Sequence, residues 1–66
     1  MDNRWIAYAE DGTEICDCET RHEAFDQMQA RASRFPGIYS LTENSFVEDA
    51  QGFGHLTQIA AETFSF

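Results

Sequence analysis

Apolar positions along this chain recur at two different spacings, and each change of spacing marks an element. Between residues 20 and 35, Phe25, Met28, Ala32 and Phe35 follow at steps of three, four and three. Ala24 lies beside Met28, which completes one stripe on a helix. Thr20 with Glu23 three residues later is a capping box that opens the helix. Glu23 and Asp26 near its start and Arg31 and Arg34 near its end suit the helix dipole. Pro36 and Gly37 stop it. Before the helix the period is that of a strand. Residues 4–10 (Arg4 to Glu10) and 13–18 (Thr13 to Cys18) read as two strands joined by Asp11-Gly12, a two-residue type I′ turn signal. Pairing Glu10 with Thr13 places Ala7 opposite Cys16 and Trp5 opposite Cys18. Trp5, Ala7, Ala9, Cys16 and Cys18 then share a face on which small residues let the helix sit close. Ile6, Tyr8 and Ile15 line the opposite, partly apolar face.

Beyond the helix, residues 37–41 are short and rich in strand formers, which predicts a third strand. Thr42 reads as a second N-cap, with Leu41 and Phe46 spaced as a hydrophobic staple, so residues 43–51 are expected to form a short helix ending at Gly52. Gly52-Phe53-Gly54 reads as a loop. In the tail, Leu56, Ile59, Ala60, Thr63 and Phe64 fit a helix, although Thr63 to Phe66 alternates like a strand. The expected fold is therefore α+β. It is a single small domain over residues 1–66, an antiparallel hairpin of two or three strands packed on one main helix, with a short second helix and a C-terminal element read as helical.

Composition changes this picture through charge. The chain has 66 residues, of which twelve are acidic and four are arginine; lysine is absent and the net charge is −8. Nine aromatics and a 42% hydrophobic content argue for a folded domain rather than an acidic disordered segment. So small a chain buries only about 60% of its unfolded surface, so its core is thin. The charge repels nucleic acid and anionic membranes and attracts basic surfaces. Met1 is followed by Asp2, Asn3 and Arg4 with no apolar leader, so a cytoplasmic product with reduced cysteines is expected.

Little in the sequence points to chemistry. Cys16-Asp17-Cys18, with His22 and His55, has metal-ligand types, but the spacing is shorter than zinc sites use and a second matched pair is missing. The two cysteines read instead as small buried hydrophobes. There is no Gly-rich phosphate loop, and an acidic surround raises a thiol pKa, which opposes a reactive thiolate. No catalytic residue, metal or cofactor is assigned. The acidic pattern says more. Glu10, Asp11, Glu14, Asp17, Glu19, Glu23 and Asp26 put seven carboxylates in 17 residues, opposed only by Arg21. On the expected fold they share one end of the domain and are assigned to partner binding, with Tyr8, Tyr39 or Phe53 as aromatic anchors. Glu43, Glu48 and Asp49 form a smaller group on the expected second helix. Carboxylates at strand or helix spacing imitate the charge of a nucleic-acid backbone.

In its size, its acidity and its lack of catalytic motif, the whole chain resembles the phage-encoded anti-CRISPR proteins. That resemblance implies a stoichiometric inhibitor in the bacterial cytoplasm. It would bind a basic, nucleic-acid-binding Cas subunit of a CRISPR surveillance complex, without contacting nucleic acid or membrane itself, as a monomer or weak dimer. The other reading of the residues is a small non-catalytic interaction module, or a homodimer that covers Ile6, Tyr8 and Ile15.

Overall fold

A computed structural model describes residues 3–66; the chain start at Met1 and Asp2, read above for the absence of a leader, lies outside the described residues. The elements are β1 (Asn3–Ala9), β2 (Glu14–Cys18), α1 (Arg21–Arg34), β3 (Ile38–Glu48) and β4 (Gly54–Ser65). The four strands form one antiparallel sheet in the order β2-β1-β3-β4, with α1 laid on one face. The main helix and the first hairpin stand where the periodicity put them. The rest does not. The expected α+β arrangement of a small hairpin with a second helix at 43–51 and a helical tail is replaced by a fold that is mostly antiparallel sheet with one helix.

The reason lies in residues 38–65. Tyr39 and Leu41 alternate with Ser40 and Thr42, so β3 turns one set toward the helix and the other away. Tyr39 and Leu41 are buried in the core on the helix side, and Thr42 and Asn44 are buried on the other. Thr42 Oγ1 donates to the Ile6 carbonyl, and Asn44 Nδ2 donates to Thr42 Oγ1 at 3.0 Å, so Thr42 is a cross-strand contact and not a helix cap. Gly52 does take the left-handed conformation, with φ at +84°, but inside a hairpin turn. The Asp49 carbonyl accepts from Gly52 N–H, Asp49 N–H donates to Phe53, and the Asp49 carboxylate accepts from the N–H groups of Gln51 and Phe53. The chain therefore reverses at 50–52, and β4 runs back along β3 from Glu48↔Gly54 to Ile38↔Ser65.

The first turn is built in the same way. The Ala9 carbonyl accepts from Gly12 N–H, and Ala9 N–H donates to the Thr13 carbonyl. Gly12 has φ at +89°, whereas Asp11, like every other non-glycine among the described residues, has negative φ. A type I′ turn needs positive φ at both central positions, so this is a three-residue loop closed by a left-handed glycine. That loop slips the register by one, pairing Tyr8 with Glu14. A β-bulge between Ala7 and Tyr8 takes up Ile15 as an unpaired residue and restores Ala7↔Cys16 and Trp5↔Cys18. Two irregularities cancel. The bulge also turns Ile15 onto the core beside Cys16, so it does not join Ile6 and Tyr8 on the far face.

The core is one thin layer. Ala24, Met28 and Ala32, at steps of four along α1, meet Ala7, Cys16, Cys18, Tyr39 and Leu41. Phe25 flanks this row with its ring 5.3 Å from Phe64 in an edge-on arrangement. Phe35, expected within the stripe, caps the helix and lies largely exposed under the Arg31 guanidinium. Thr20 Oγ1 accepts from Glu23 N–H, the N-cap half of the expected capping box. No helix among the described residues is long and apolar enough to cross a membrane. Met28 is fully buried at the centre of this layer. Met28→Ala should therefore cost about 2–5 kcal/mol, enough to unfold much of so small a domain. Leu56→Ala, on exposed β4, should change thermal stability by less than about 0.5 kcal/mol. Thermal melts of the two variants followed by circular dichroism check the contrast.

Candidate binding edge

The two outer strands of the sheet differ in chemistry. β2 is short and acidic, and it leads directly into the acidic start of α1. Cys16 and Cys18 face the helix, so Asp17 projects from the opposite face, where it pairs with Ile6, and Glu14 shares that face through its pairing with Tyr8. Glu10 and Asp11 lie in the turn, Glu19 in the link to α1, and Glu23 and Asp26 in the first turns of the helix. All seven carboxylate residues are exposed.

They do not share one end. β2 is antiparallel to β1, so the turn holding Glu10 and Asp11 and the link holding Glu19 stand at opposite ends of a strand about 17 Å long. The turn faces the C-terminal part of α1, where Arg31 and Phe35 help to wall an open groove of about 550 Å³ with Glu10, Asp11, Ile38 and Tyr39. Glu19 and Glu23 belong to the helix start. The acids thus form a row along one border of the molecule rather than a cap.

Basic groups neutralise part of that row. Arg4 Nε donates to Asp17 Oδ1 at 2.7 Å, Arg4 Nη2 donates to the Asp17 carbonyl, and Arg4 Nη1 stands 3.9 Å from Glu19. The Asp17 hydrogen bond, more than any other influence, raises the Arg4 pKa above its ordinary value. His22 Nε2 lies 3.2 Å from Asp26, and Arg21 reaches across to Glu62 of β4. The Asp11 carboxylate accepts from Thr13 N–H at 3.0 Å, which is the main cause of its lowered pKa, with Arg31 a smaller one. Glu10, Glu14 and Glu23 have no basic side chain within salt-bridge distance among the described residues. They are the row's uncompensated charges. The smaller acidic group is not a group. Glu43 accepts from Asn3 Nδ2 at 2.8 Å, Glu48 ends β3, and Asp49 builds the second turn.

The aromatic anchors divide as well. Tyr39 is buried, with its hydroxyl donating to the Phe35 carbonyl, so it belongs to the core. Tyr8 is half-buried between strands, and Phe53 is 71% exposed at the second turn. The exposed apolar residues that periodicity misplaced are Phe46, Val47, Leu56 and Ile59 on β3 and β4. Strict alternation over Thr63 to Phe66 was the signal for β4, and it covers only the last residues of that strand.

Cys16 and Cys18 are free thiols beneath α1. The Cys16 thiol donates to the Ala24 carbonyl at 3.7 Å, and Gln27 Nε2 donates to Cys18 Sγ at 3.4 Å. Among the described residues no three His, Cys, Asp or Glu side chains converge as a metal site; His22 is exposed on the helix and His55 on β4. Burial, followed by the neighbouring Cys18, pushes the Cys16 thiol up from 9.0 to about 11.

A raised thiol pKa means that the folded state holds its proton more tightly than the unfolded chain. The resulting stability is complete below about pH 9 and is lost as pH rises through about 11. An alkaline titration of the melting temperature should fall across that window, and Cys16→Ala should flatten the fall. Comparison of the chain with protein-family models, with curated proteins and with solved structures found no match.

Proposed function

We propose that the protein is a non-catalytic, stoichiometric inhibitor that lays its acidic β2 border against a basic, nucleic-acid-binding surface. The observation that carries this reading is the row of exposed carboxylates along the outer hairpin and helix start, on a chain of net charge −8 without lysine. Glu10, Glu14 and Glu23 are its uncompensated members, and Asp11, Asp17, Glu19 and Asp26 fill the intervals. Charges at strand and helix spacing are what a groove built for phosphates receives. Self-repulsion among them costs stability, which a surface needed only for solubility would avoid by mixing signs. The resemblance to anti-CRISPR proteins supplies the partner class, a Cas subunit of a bacterial surveillance complex that reads target DNA. The cytoplasm of a bacterial host is where the two would meet. Phe53 is the aromatic anchor that exposure leaves open to a partner.

Opposite charges accelerate encounter, and salt removes the gain. Pull-downs from bacterial extract with the intact protein should recover a basic nucleic-acid-binding protein at low salt and release it at high salt. Recovery that ignores salt would contradict the reading. Glu14→Gln, Glu19→Gln and Glu23→Gln together keep the chain neutral at those sites and retain a side chain suited to the cap. At about 0.5 kcal/mol for each border charge, the triple variant should bind about tenfold more weakly, with a melting temperature no lower than that of the unaltered chain because self-repulsion is relieved. Unaltered affinity in a titration calorimeter would move the contact away from this border.

A further inference from the structure

The opposite border of the sheet is a second interaction surface, and it does not depend on the acidic one. β4 is twelve residues long, and every one of them is exposed except Phe64, which is half-buried. It pairs with β3 along one side, and no described strand pairs with the other. Natural edge strands of this length are protected by lysine, proline, inward-pointing charge or shortness. β4 has neither lysine nor proline. Its only carboxylate, Glu62, is held at 2.8 Å by Arg21. Its remaining protection is one bulge, which leaves Ile59 unpaired opposite Glu43 and Asn44. Beyond Ser45, β3 has β4 as its only neighbour among the described residues, and Phe46, Val47, Leu56 and Ile59 are each 40–55% exposed. A two-stranded ribbon with apolar side chains on its surface is marginal by itself.

We infer that β4 pairs antiparallel with β4 of a second copy of this chain, joining two sheets into one of eight strands. Charge selects a second copy as the occupant. The border carries almost no net charge on a chain of −8, so it has nothing to recruit an oppositely charged partner. Most of the acids that would repel a second copy line β2 and the helix start, at the other side of the sheet. Glu43 is bonded to Asn3, and Glu48 and Asp49 lie at the far end of the β3–β4 ribbon, away from the Ile59 axis. In the joined sheet the two β2 strands stand seven strand intervals apart, about 34 Å, several times the screening length of about 8 Å. Antiparallel pairing of a strand with itself is also isologous, so one patch serves both copies and the assembly closes at two.

The bulge sets the register. It divides β4, so residues 54–58 of one copy lie beside residues 60–65 of the other, and the two Ile59 side chains meet next to the two-fold axis. The projecting ribbon of each copy then gains a neighbour in the half of the other's β4 that Phe25 and Arg21 tie to the body. Both helices lie on the same face of the joined sheet.

Sedimentation equilibrium of the intact chain across a wide concentration range tests this with no variant. A reversible monomer–dimer equilibrium is expected, and a protein that stays monomeric overturns the proposal. Ile59→Lys places two like charges at the axis and should weaken the dimer at least tenfold, with an unchanged circular dichroism spectrum. Ile59→Glu should do the same. Mixing the two variants should restore a dimer of one copy of each. A dimer indifferent to either substitution, or two dissociated variants that fail to combine, overturns the pairing. A chain that stays monomeric while its β4 amides become protected on another protein assigns the border to a foreign strand, and also overturns it. The triple glutamine variant of the acidic border should dimerise like the unaltered chain, which separates failure here from failure of the inhibitor reading.

Discussion

The fold depends on one close contact, the row Ala24, Met28 and Ala32 of α1 seated on Ala7, Cys16, Cys18 and Leu41 of the sheet. Alanines and cysteines at these positions let helix and sheet approach closely, and Met28 fills the space that remains. A single 14-residue helix is wide enough to cover β2, β1 and β3. β4 lies outside it, tied down by the ladder to β3, the Phe25–Phe64 contact and the Arg21–Glu62 ion pair. From that limit follow the exposed ribbon, the unpaired border and the elongated shape of 44 by 21 by 15 Å. The face away from the helix is closed instead by strand neighbours, with Ile6, Thr42 and Asn44 buried and bonded to one another across β1 and β3.

A sheet covered in this way has two unlike borders. On β2 the side chains that face the helix are Ile15 and the two thiols, and the remaining positions are free to carry charge. Glu14 and Asp17 take them, and the turn and helix start continue the row. On β4 the outward positions carry Thr, Gln, Ala and Ile, with one carboxylate already paired. Like charges are thus concentrated on the short border of five residues, and the neutral border is the long one of twelve. The acidic row and the strand border are separate surfaces on opposite sides of the sheet.

The first half of the chain was legible in the sequence because its signals are local. Thr20 and Glu23 open the helix, Pro36 stops it, and the alternation from Trp5 to Cys18 names the face that receives it. Even there the turn was misread, since Asp11-Gly12 serves a three-residue loop as well as a two-residue one. The Ile15 bulge then hid the difference by restoring the pairing further down the hairpin. From Leu41 onward the local signals conflict. Leu41 and Phe46 are spaced for a staple, but they are strand residues on opposite faces of β3. Gly52 needs positive φ, which ends a helix and closes a hairpin equally well. Only pairing between residues 38–48 and 54–65 decides between these, and such non-local contact leaves little trace in a short window. The acids were legible as a list but not as an arrangement. Their split between the two ends of β2 follows from the strand's direction. The Arg4–Asp17 pair follows from the diagonal of the register that sets Trp5 against Cys18.

Amide hydrogen exchange measured residue by residue in dilute solution probes the one-sided core most directly. Amides of Ala24 to Ala32, of β1 and of the β3 segment from Tyr39 to Asn44 should exchange only through global unfolding. Those from Gly54 to Gln58 should exchange through local opening, orders of magnitude faster. Uniform protection from β1 through the whole of β4 at the same dilution would show that the helix is not the limit on what is covered, and would contradict the account.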